Sequence, residues 1–282
     1  MSAVTETFRT PGRLAATVSD WWVITKRNIM TYLRKPDLLV FSTIQPVMFV
    51  LLFVYVFGGT FDMILPASVP YVDFLMPGIF VQTAIFAATQ TGVGLADDLQ
   101  KGLIDRFRSL PMARSAVLAG RTAADTVSVT VQTVLMLIVA YLVGYRLHEG
   151  TAEALLAFVG VVSVGYAFTW VSAFAGLSLK TIEAVQAALF TIVFPFVFVS
   201  TAFVPLVTFP SWLQPFVEHN PVTIWVDTVR VLTLGELYSP ATAPRLFAHI
   251  QSLGTLMWLS VVWFAGFLVF FSFLGVRVYR RT

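Results

Sequence analysis

The chain has 282 residues, 57% of them apolar and 12% charged, with 26 phenylalanines and a formal net charge of +3. Soluble proteins carry roughly 25% charged residues, and half that density cannot solvate a globular surface. Composition therefore excludes a water-soluble enzyme and makes the bilayer the main solvent.

A hydrocarbon core about 30 Å thick asks for roughly 20 mostly apolar residues per spanning helix. Six stretches meet that length: 38–57, 74–95, 124–144, 154–176, 184–205 and 253–275. They are continuous, whereas barrel strands alternate lipid-facing and lumen-facing residues. The predicted fold class is an all-α integral membrane protein with six transmembrane helices. It divides into an N-terminal arm (1–37), a six-span domain (38–275) and a basic tail (276–282). Cysteine is absent, so neither disulfides nor thiolate metal sites are expected.

Residues 1–37 hold no early apolar run, which argues against a cleaved signal peptide. Within them, TVSDWWVITKRNIMTYLRK places Val18, Trp22, Ile29 and Leu33 on one helical face. Thr17 or Ser19 can cap this helix and Pro36 stops it. Its tryptophans beside Lys26, Arg27, Arg34 and Lys35 suit an interfacial helix, either an anchor for the first span or a docking surface for a partner. Span 1 contains Pro46 directly after Gln45, and proline removes a backbone donor, so a kink is expected there.

Span 2 carries Gln82, Phe86, Thr89 and Gln90, with the two amides close together on one face. Amides in hydrocarbon seek partners at a helix interface or face a cavity. After span 2 the run DDLQKGLIDRFRSLP (97–111) predicts a short amphipathic helix. Asp97 and Asp98 would open it, Arg106 and Arg108 would lie near its end, and Lys101 and Asp105 would pair at i,i+4. Such a helix is either a solvated connector or a lever that something grips. Near the inner end of span 3, Arg121 and Asp125 stand one turn apart and are expected to pair. Span 5 offers Gln186, Thr191, Phe194, Pro195 and Phe198.

The outer insertion, 207–250, contains TFPSWLQPFVEHNP and then VTIWVDTVRVLTLG. About 14 residues between Pro221 and Gly235 are too few to cross, so a re-entrant or surface helix is expected. In it Asp227 and Arg230 can pair at i,i+3. The insertion should form a two-helix cap, either a gate or a static lid.

Of the 18 Lys and Arg residues, 15 fall in the N-terminal arm, the loop after span 2, the loop after span 4 or the tail, and only Arg146, Arg230 and Arg245 fall in the alternate loops. Short loops rich in Lys and Arg stay in the cytoplasm, which predicts both termini inside. The basic excess then follows topology and the anionic inner leaflet, with no call for nucleic acid. The middle of each span is uncharged, which argues against an ion-coupled carrier.

The run Lys101-Gly102-Leu103-Ile104-Asp105-Arg106-Phe107-Arg108-Ser109-Leu110-Pro111-Met112 resembles the cytoplasmic-loop signature of ABC type 2 permeases, particularly the daunorubicin-resistance branch of bacterial drug and lipid exporters. Pro210-Ser211-Trp212-Leu213-Gln214-Pro215, then Asn220, Pro221 and Arg230, is similar to the outer re-entrant region of that branch. The order of elements matches over almost the whole chain. The resemblance implies a type V exporter fold in a bacterial cytoplasmic membrane. It implies a permease half whose loop helix docks on a separate ATP-binding subunit, with Leu99, Lys101, Gly102, Leu103, Ile104, Asp105, Arg106, Phe107, Arg108, Leu110 and Pro111 as the coupling segment. Lys180, Thr181 and Glu183 would make a second, minor contact. Two such permease chains, identical or related, would work with two ATPases. Spans 2 and 5 would flank the pathway, lined by Gln82, Phe86, Thr89, Gln90, Gln186, Thr191, Phe194 and Phe198, with Trp212, Asn220, Pro221, Asp227 and Arg230 at an outer gate. A weakly polar, aromatic lining suits a hydrophobic or amphiphilic cargo.

A self-contained pump would need a Gly-rich phosphate loop ending in Gly-Lys-Ser/Thr. Leu179-Lys180-Thr181 lacks the preceding glycine, so ATP and Mg2+ are expected on the partner ATPase, with no cofactor bound by this chain. His148, His219 and His249 are scattered and suggest neither a metal site nor catalysis. An ion-coupled carrier and a non-transporting scaffold are the alternative readings.

Overall fold

A computed structural model describes residues 36–103 and 114–281, with side chains described for 43–103 and 118–281. The predicted interfacial helix of the arm and the part of the coupling segment from Ile104 to Pro111 lie outside the described residues. Those described form an all-helical structure. Helix α1 (Pro36–Leu51) passes into a π-helical segment, Leu52–Phe57, and a short α2, Gly58–Asp62. Then follow α3 (Tyr71–Gln100), α4 (Arg114–Val143), α5 (Thr151–Leu179) and α6 (Ile182–Phe198). The outer insertion folds into α7 (Gln214–His219) and α8 (Pro221–Leu234), and α9 (Leu253–Arg281) closes the chain.

Among the described residues, five helical stretches are long and apolar enough to cross a membrane: Thr43–Asp62, Tyr71–Gln100, Leu118–Val143, Thr151–Leu179 and Leu253–Arg281. The stretch expected as span 5 is shorter in helix. Helix α6 has 17 residues, about 26 Å at 1.5 Å per residue, and stops three residues after Pro195 instead of running to 205. The residues expected as the tail are helical up to Arg281, as the end of α9.

Helix α3 is the axis of the bundle and is buried along most of its length, whereas α1, α4 and α9 turn broad apolar faces outward. Lipid tails are as apolar as those side chains, so close packing supplies most of the helix association. Small residues provide it between α3 and α5. A Cβ built on Gly92 would lie 2.3 Å from the Ser172 carbonyl oxygen, and one on Gly176 would lie 2.4 Å from the Gly92 oxygen. The Ser172 hydroxyl completes the seam, accepting from the Gly92 N–H at 2.8 Å and donating to the Thr89 carbonyl at 2.8 Å.

The ends of α3, α5 and α9 meet at one basic end of the bundle, where Leu95, Trp170, Ala173, Leu177 and Tyr279 share a core with Leu118 of α4. There Arg121 bridges α4 to α3, donating to Asp125 at 3.1 Å and to Asp98 at 3.0 Å. The predicted pair is thus present, with a third member. The start predicted for the loop helix moves. Asp97 and Asp98 close α3 instead of opening a new helix, Lys101 pairs back to Asp97 at 2.6 Å, and the break falls at Gly102, whose φ of +66° suits glycine.

Candidate functional site: an amide-lined cavity under a buried polar knot

The helices α1, α3, α4 and α6 enclose a cavity of about 510 Å³ in the half of the bundle nearer the basic end. Gln82, Phe86 and Gln90 recur every four residues along α3, so they descend one face of the helix, and the cavity follows them from Gln82 to Val93. Gln45 and Pro46 enter from α1, Gln132 from α4, and Gln186, Leu189 and Phe190 from α6. Gln82, Thr83 and Gln132 are buried at its floor, while Gln45, Gln90 and Gln186 are exposed at its mouth.

Among the described residues, none that lines the cavity is titratable. Polarity comes from five amides and two threonines, and the rest is aromatic or aliphatic. The floor has unmet valence, since Gln82 Oε1 and Thr83 Oγ1 are buried without a hydrogen-bond partner, whereas Thr89 Oγ1 donates to the Phe86 carbonyl of its own helix at 2.6 Å. An unsatisfied buried polar group costs about 1–3 kcal/mol.

Of the residues expected to line a pathway, Gln82, Phe86, Thr89, Gln90 and Gln186 come together here, and Thr191, Phe194 and Phe198 do not. Thr191 is exposed and lies five residues past Gln186, about 140° around the helix. Phe194 and Phe198 continue the Phe190 face away from the basic end. Phe190 and Phe194 have ring centroids 4.8 Å apart, Phe194 and Phe198 4.0 Å, Phe198 and Phe203 4.9 Å. Phe203 stacks in turn on Phe53 of the π-helical segment at 4.9 Å, and Phe53 meets Phe57 at 5.5 Å. A continuous aromatic row thus leaves the cavity and reaches Phe57, at the end of the π-helical segment. Sequence reasoning missed Gln45, Thr83 and Gln132. Gln82 and Gln90 stand out in the sequence as a pair on one face of α3, whereas Gln45 and Gln132 have no second amide on their own helices.

At the end opposite the basic one, α8 is buried, and its polar residues form a knot. Arg230 is fully buried. Its Nε donates to the Phe74 carbonyl at 2.8 Å, Nη2 to the carbonyls of Thr201 at 2.6 Å and Ala202 at 3.1 Å, and Nη1 to Asp227 at 3.2 Å. The guanidinium also sits 3.7 Å from the Phe74 ring centroid. Asp227 Oδ1 accepts from Thr201 Oγ1 and from the Tyr238 hydroxyl, both at 2.9 Å. Burial, reinforced by the Asp227 carboxylate, pushes the Tyr238 hydroxyl well above the usual phenol range and keeps it a donor. The i,i+3 pair expected from sequence therefore exists, deep inside the protein, and ties α3, the segment after α6, α8 and the following turn together.

Asn220 joins two helix ends. Its Oδ1 accepts from the Val222 N–H at the start of α8, where Pro221 fills the first position, and its Nδ2 donates to the carbonyls of Phe196 and Val199 at 2.7 Å each. One side chain thus satisfies an orphan N–H of α8 and two carbonyls at the end of α6. Trp212 stands apart from these residues and is 77% exposed.

On the basic side, Lys180 adopts a left-handed conformation, φ +63°, at the end of α5, and Thr181 caps α6 by accepting from the Ala184 N–H at 3.4 Å. Glu183 is exposed beside them. These three residues form the tight α5–α6 link. Leu99 belongs to the last turn of α3, and Lys101 and Gly102 follow it.

A family model described as ABC-2 type transporter matches residues 19–234. The chain is 28% identical over 268 residues to the daunorubicin resistance ABC transporter permease protein DrrB1 of Streptomyces coeruleorubidus, covering 95% of this chain and 87% of that one. It is 26% identical over 240 residues to the probable doxorubicin resistance ABC transporter permease protein DrrC of Mycobacterium tuberculosis, covering 83% and 80%. A putative transport permease, ycf38 of Cyanophora paradoxa, is 26% identical over 256 residues, with 90% and 88% covered.

Proposed function

This chain belongs to the ABC-2 type transporter family, and from that premise we propose how its parts divide the work of transport. It is the transmembrane subunit of an ABC exporter, and the family places ATP hydrolysis on a partner ATPase subunit. Its cargo is a hydrophobic or amphiphilic drug or lipid. The observation that carries this reading is the cavity, a neutral pocket of amides and aromatic rings continued outward by the phenylalanine row.

The basic end faces the cytoplasm of a bacterial cell, as the placement of Lys and Arg supports. Six spans cross the bilayer, α6 being completed by residues 199–205. Two permease copies, or two related chains, assemble with two ATPases that bind ATP and Mg2+. Residues 99–111 are the coupling segment, from Leu99, Lys101, Gly102 and Leu103 through Ile104, Asp105, Arg106, Phe107, Arg108, Leu110 and Pro111. Lys180, Thr181 and Glu183 make the second contact. Closure of the ATPases pushes on the foot of α3. Because α3 and α5 interlock through Gly92, Ser172 and Gly176, they move as one body. Cargo enters the cavity from the inner half of the bilayer, passes along the phenylalanine row, and leaves beneath the cap of α7 and α8. The cap is fastened through Arg230 to α3 and to the segment after α6, so it opens with those elements and has no independent hinge.

The test is reconstitution with the partner ATPase. Deletion of 99–110 or Asp105→Arg should abolish binding of the ATPase while the spans still insert. Retained binding would sink the coupling assignment. Transport that stops when ion gradients are collapsed at constant ATP would instead establish an ion-coupled carrier.

A further inference from the structure

Resting on the coupling assignment of residues 99–111, we propose that Arg121 is the positioning residue that makes α4 follow α3 when the ATPase pushes. The helices that carry Gln82, Gln90 and Gln132 into the cavity then move as a pair. The pushed segment joins the end of α3, at Gln100, to the start of α4, at Arg114. A push on such a connector moves both helices together only if they are tied near its base. Without the tie the connector bends, or one helix slides along the other.

The tie stands at that base. Asp98 precedes the last residue of α3 by two positions, and Arg121 lies about two turns into α4. Arg121 Nη1 donates to Asp98 at 3.0 Å across the two helices, while Nε donates to Asp125 at 3.1 Å on its own helix. Asp125 thereby directs the side chain, and the guanidinium crosses over α3 at Gly94, where a Cβ would collide with Nη2. The absent side chain at Gly94 is what gives the arginine its passage. Arg121 keeps 15% and Asp98 16% of its side-chain surface, so salt and water screen the pair less than they would an open surface pair. Burial alone holds α4 less firmly than its neighbour, since 28% of the residues in its apolar stretch are buried, against 83% in α3. Where α3 and α5 interlock through glycines, α3 and α4 have the arginine.

The chain has no cysteine, so pairs of spin labels can be placed through Gln100→Cys at the end of α3, Val127→Cys on α4 and Met48→Cys on α1, all exposed positions. Labelled chain is assembled with the ATPase in an excess of unlabelled chain, so that a complex carries one labelled copy, and distances are read before and after ATP with vanadate. With Arg121 in place, the α3–α1 and α4–α1 distances should both shift by about 1–2 Å or more, the scale of helix shifts in such transitions, while the α3–α4 distance holds. Gly94→Ala pushes the guanidinium aside without removing a charge, and Arg121→Met removes it. In each, α3 should still move and α4 should lag, so that the α3–α4 distance changes by a similar amount when nucleotide is added. The nucleotide-free distances show that a variant is folded, and co-purification shows that it still holds the ATPase. Should Arg121→Met fail to fold, Gly94→Ala decides. A fixed α3–α4 distance in Gly94→Ala, or loss of the ATPase from it, would overturn the proposal. Movement of α3 without α4 while Arg121 is intact would overturn it too and leave the coupling assignment standing. If neither helix moves against α1, the coupling assignment falls with it.

Discussion

Removing the guanidinium of Arg230 should unfasten the outer cap. In Arg230→Met the fully buried side chain keeps an apolar body of similar length but loses donors to three backbone carbonyls and to Asp227. Thr201 and Tyr238 still donate to Asp227 and His249 Nε2 lies 3.6 Å from its other oxygen, yet the buried carboxylate loses the guanidinium paired with it. Breaking such a pair from one side costs about 3–5 kcal/mol. Asp227→Leu should cost less, because Arg230 keeps its carbonyl acceptors. The double variant should cost less than the sum of the two, with a coupling of about 2 kcal/mol or more. Equilibrium unfolding in mixed detergent micelles, followed by tryptophan fluorescence, measures all three, and Trp225 on α8 reports locally. A loss below 1 kcal/mol in Arg230→Met, or strict additivity in the double variant, would refute the idea that the knot fastens the cap.

Gly92→Val should be among the most destabilising single changes, since even its Cβ would stand 2.3 Å from the Ser172 carbonyl oxygen; overpacking costs about 1–3 kcal/mol, occasionally more, and the same unfolding assay reads it. Gly160→Ala in α5, which has nothing within 4 Å of its Cβ, should be neutral or slightly stabilising. Asn220→Ala removes one cap and two bonds to the end of α6 and should cost about 1–2 kcal/mol, with faster hydrogen exchange at both helix ends. Phe198→Ala cuts the aromatic row where it meets Phe194, Phe203 and Phe49; transport should fall several-fold while binding in the cavity, read by anisotropy, stays intact.

Legibility differed from element to element. The run of apolar residues in α9 is sufficient to make it a spanning helix, because hydropathy over about 20 residues is a local property. The stop of α6 is not local. Pro195 announces an interruption, but the helix ends at Phe198 because Asn220, more than 20 residues on, satisfies the freed carbonyls. The start of the loop helix was misplaced for a similar reason. Acidic residues are good openers of helices, but Asp97 and Asp98 find cations in Lys101 and Arg121, and that lets α3 carry on to Gln100.

The solvent, the helical class, the transporter resemblance and the presence of amides in the apolar runs of α3 and α6 were legible in the sequence. Composition and periodicity specify which face of a helix is polar, and each of those is readable one segment at a time. Only the tertiary structure decided what the faces meet. It put Gln45 and Gln132 opposite Gln82, sent Phe194 and Phe198 outward along a separate row, and drew Arg230 from a nominal outer loop to the centre of the cap. The cause is the same in each case. A polar group inside an apolar medium takes the partners that packing brings within about 3 Å, and those partners come from distant parts of the chain.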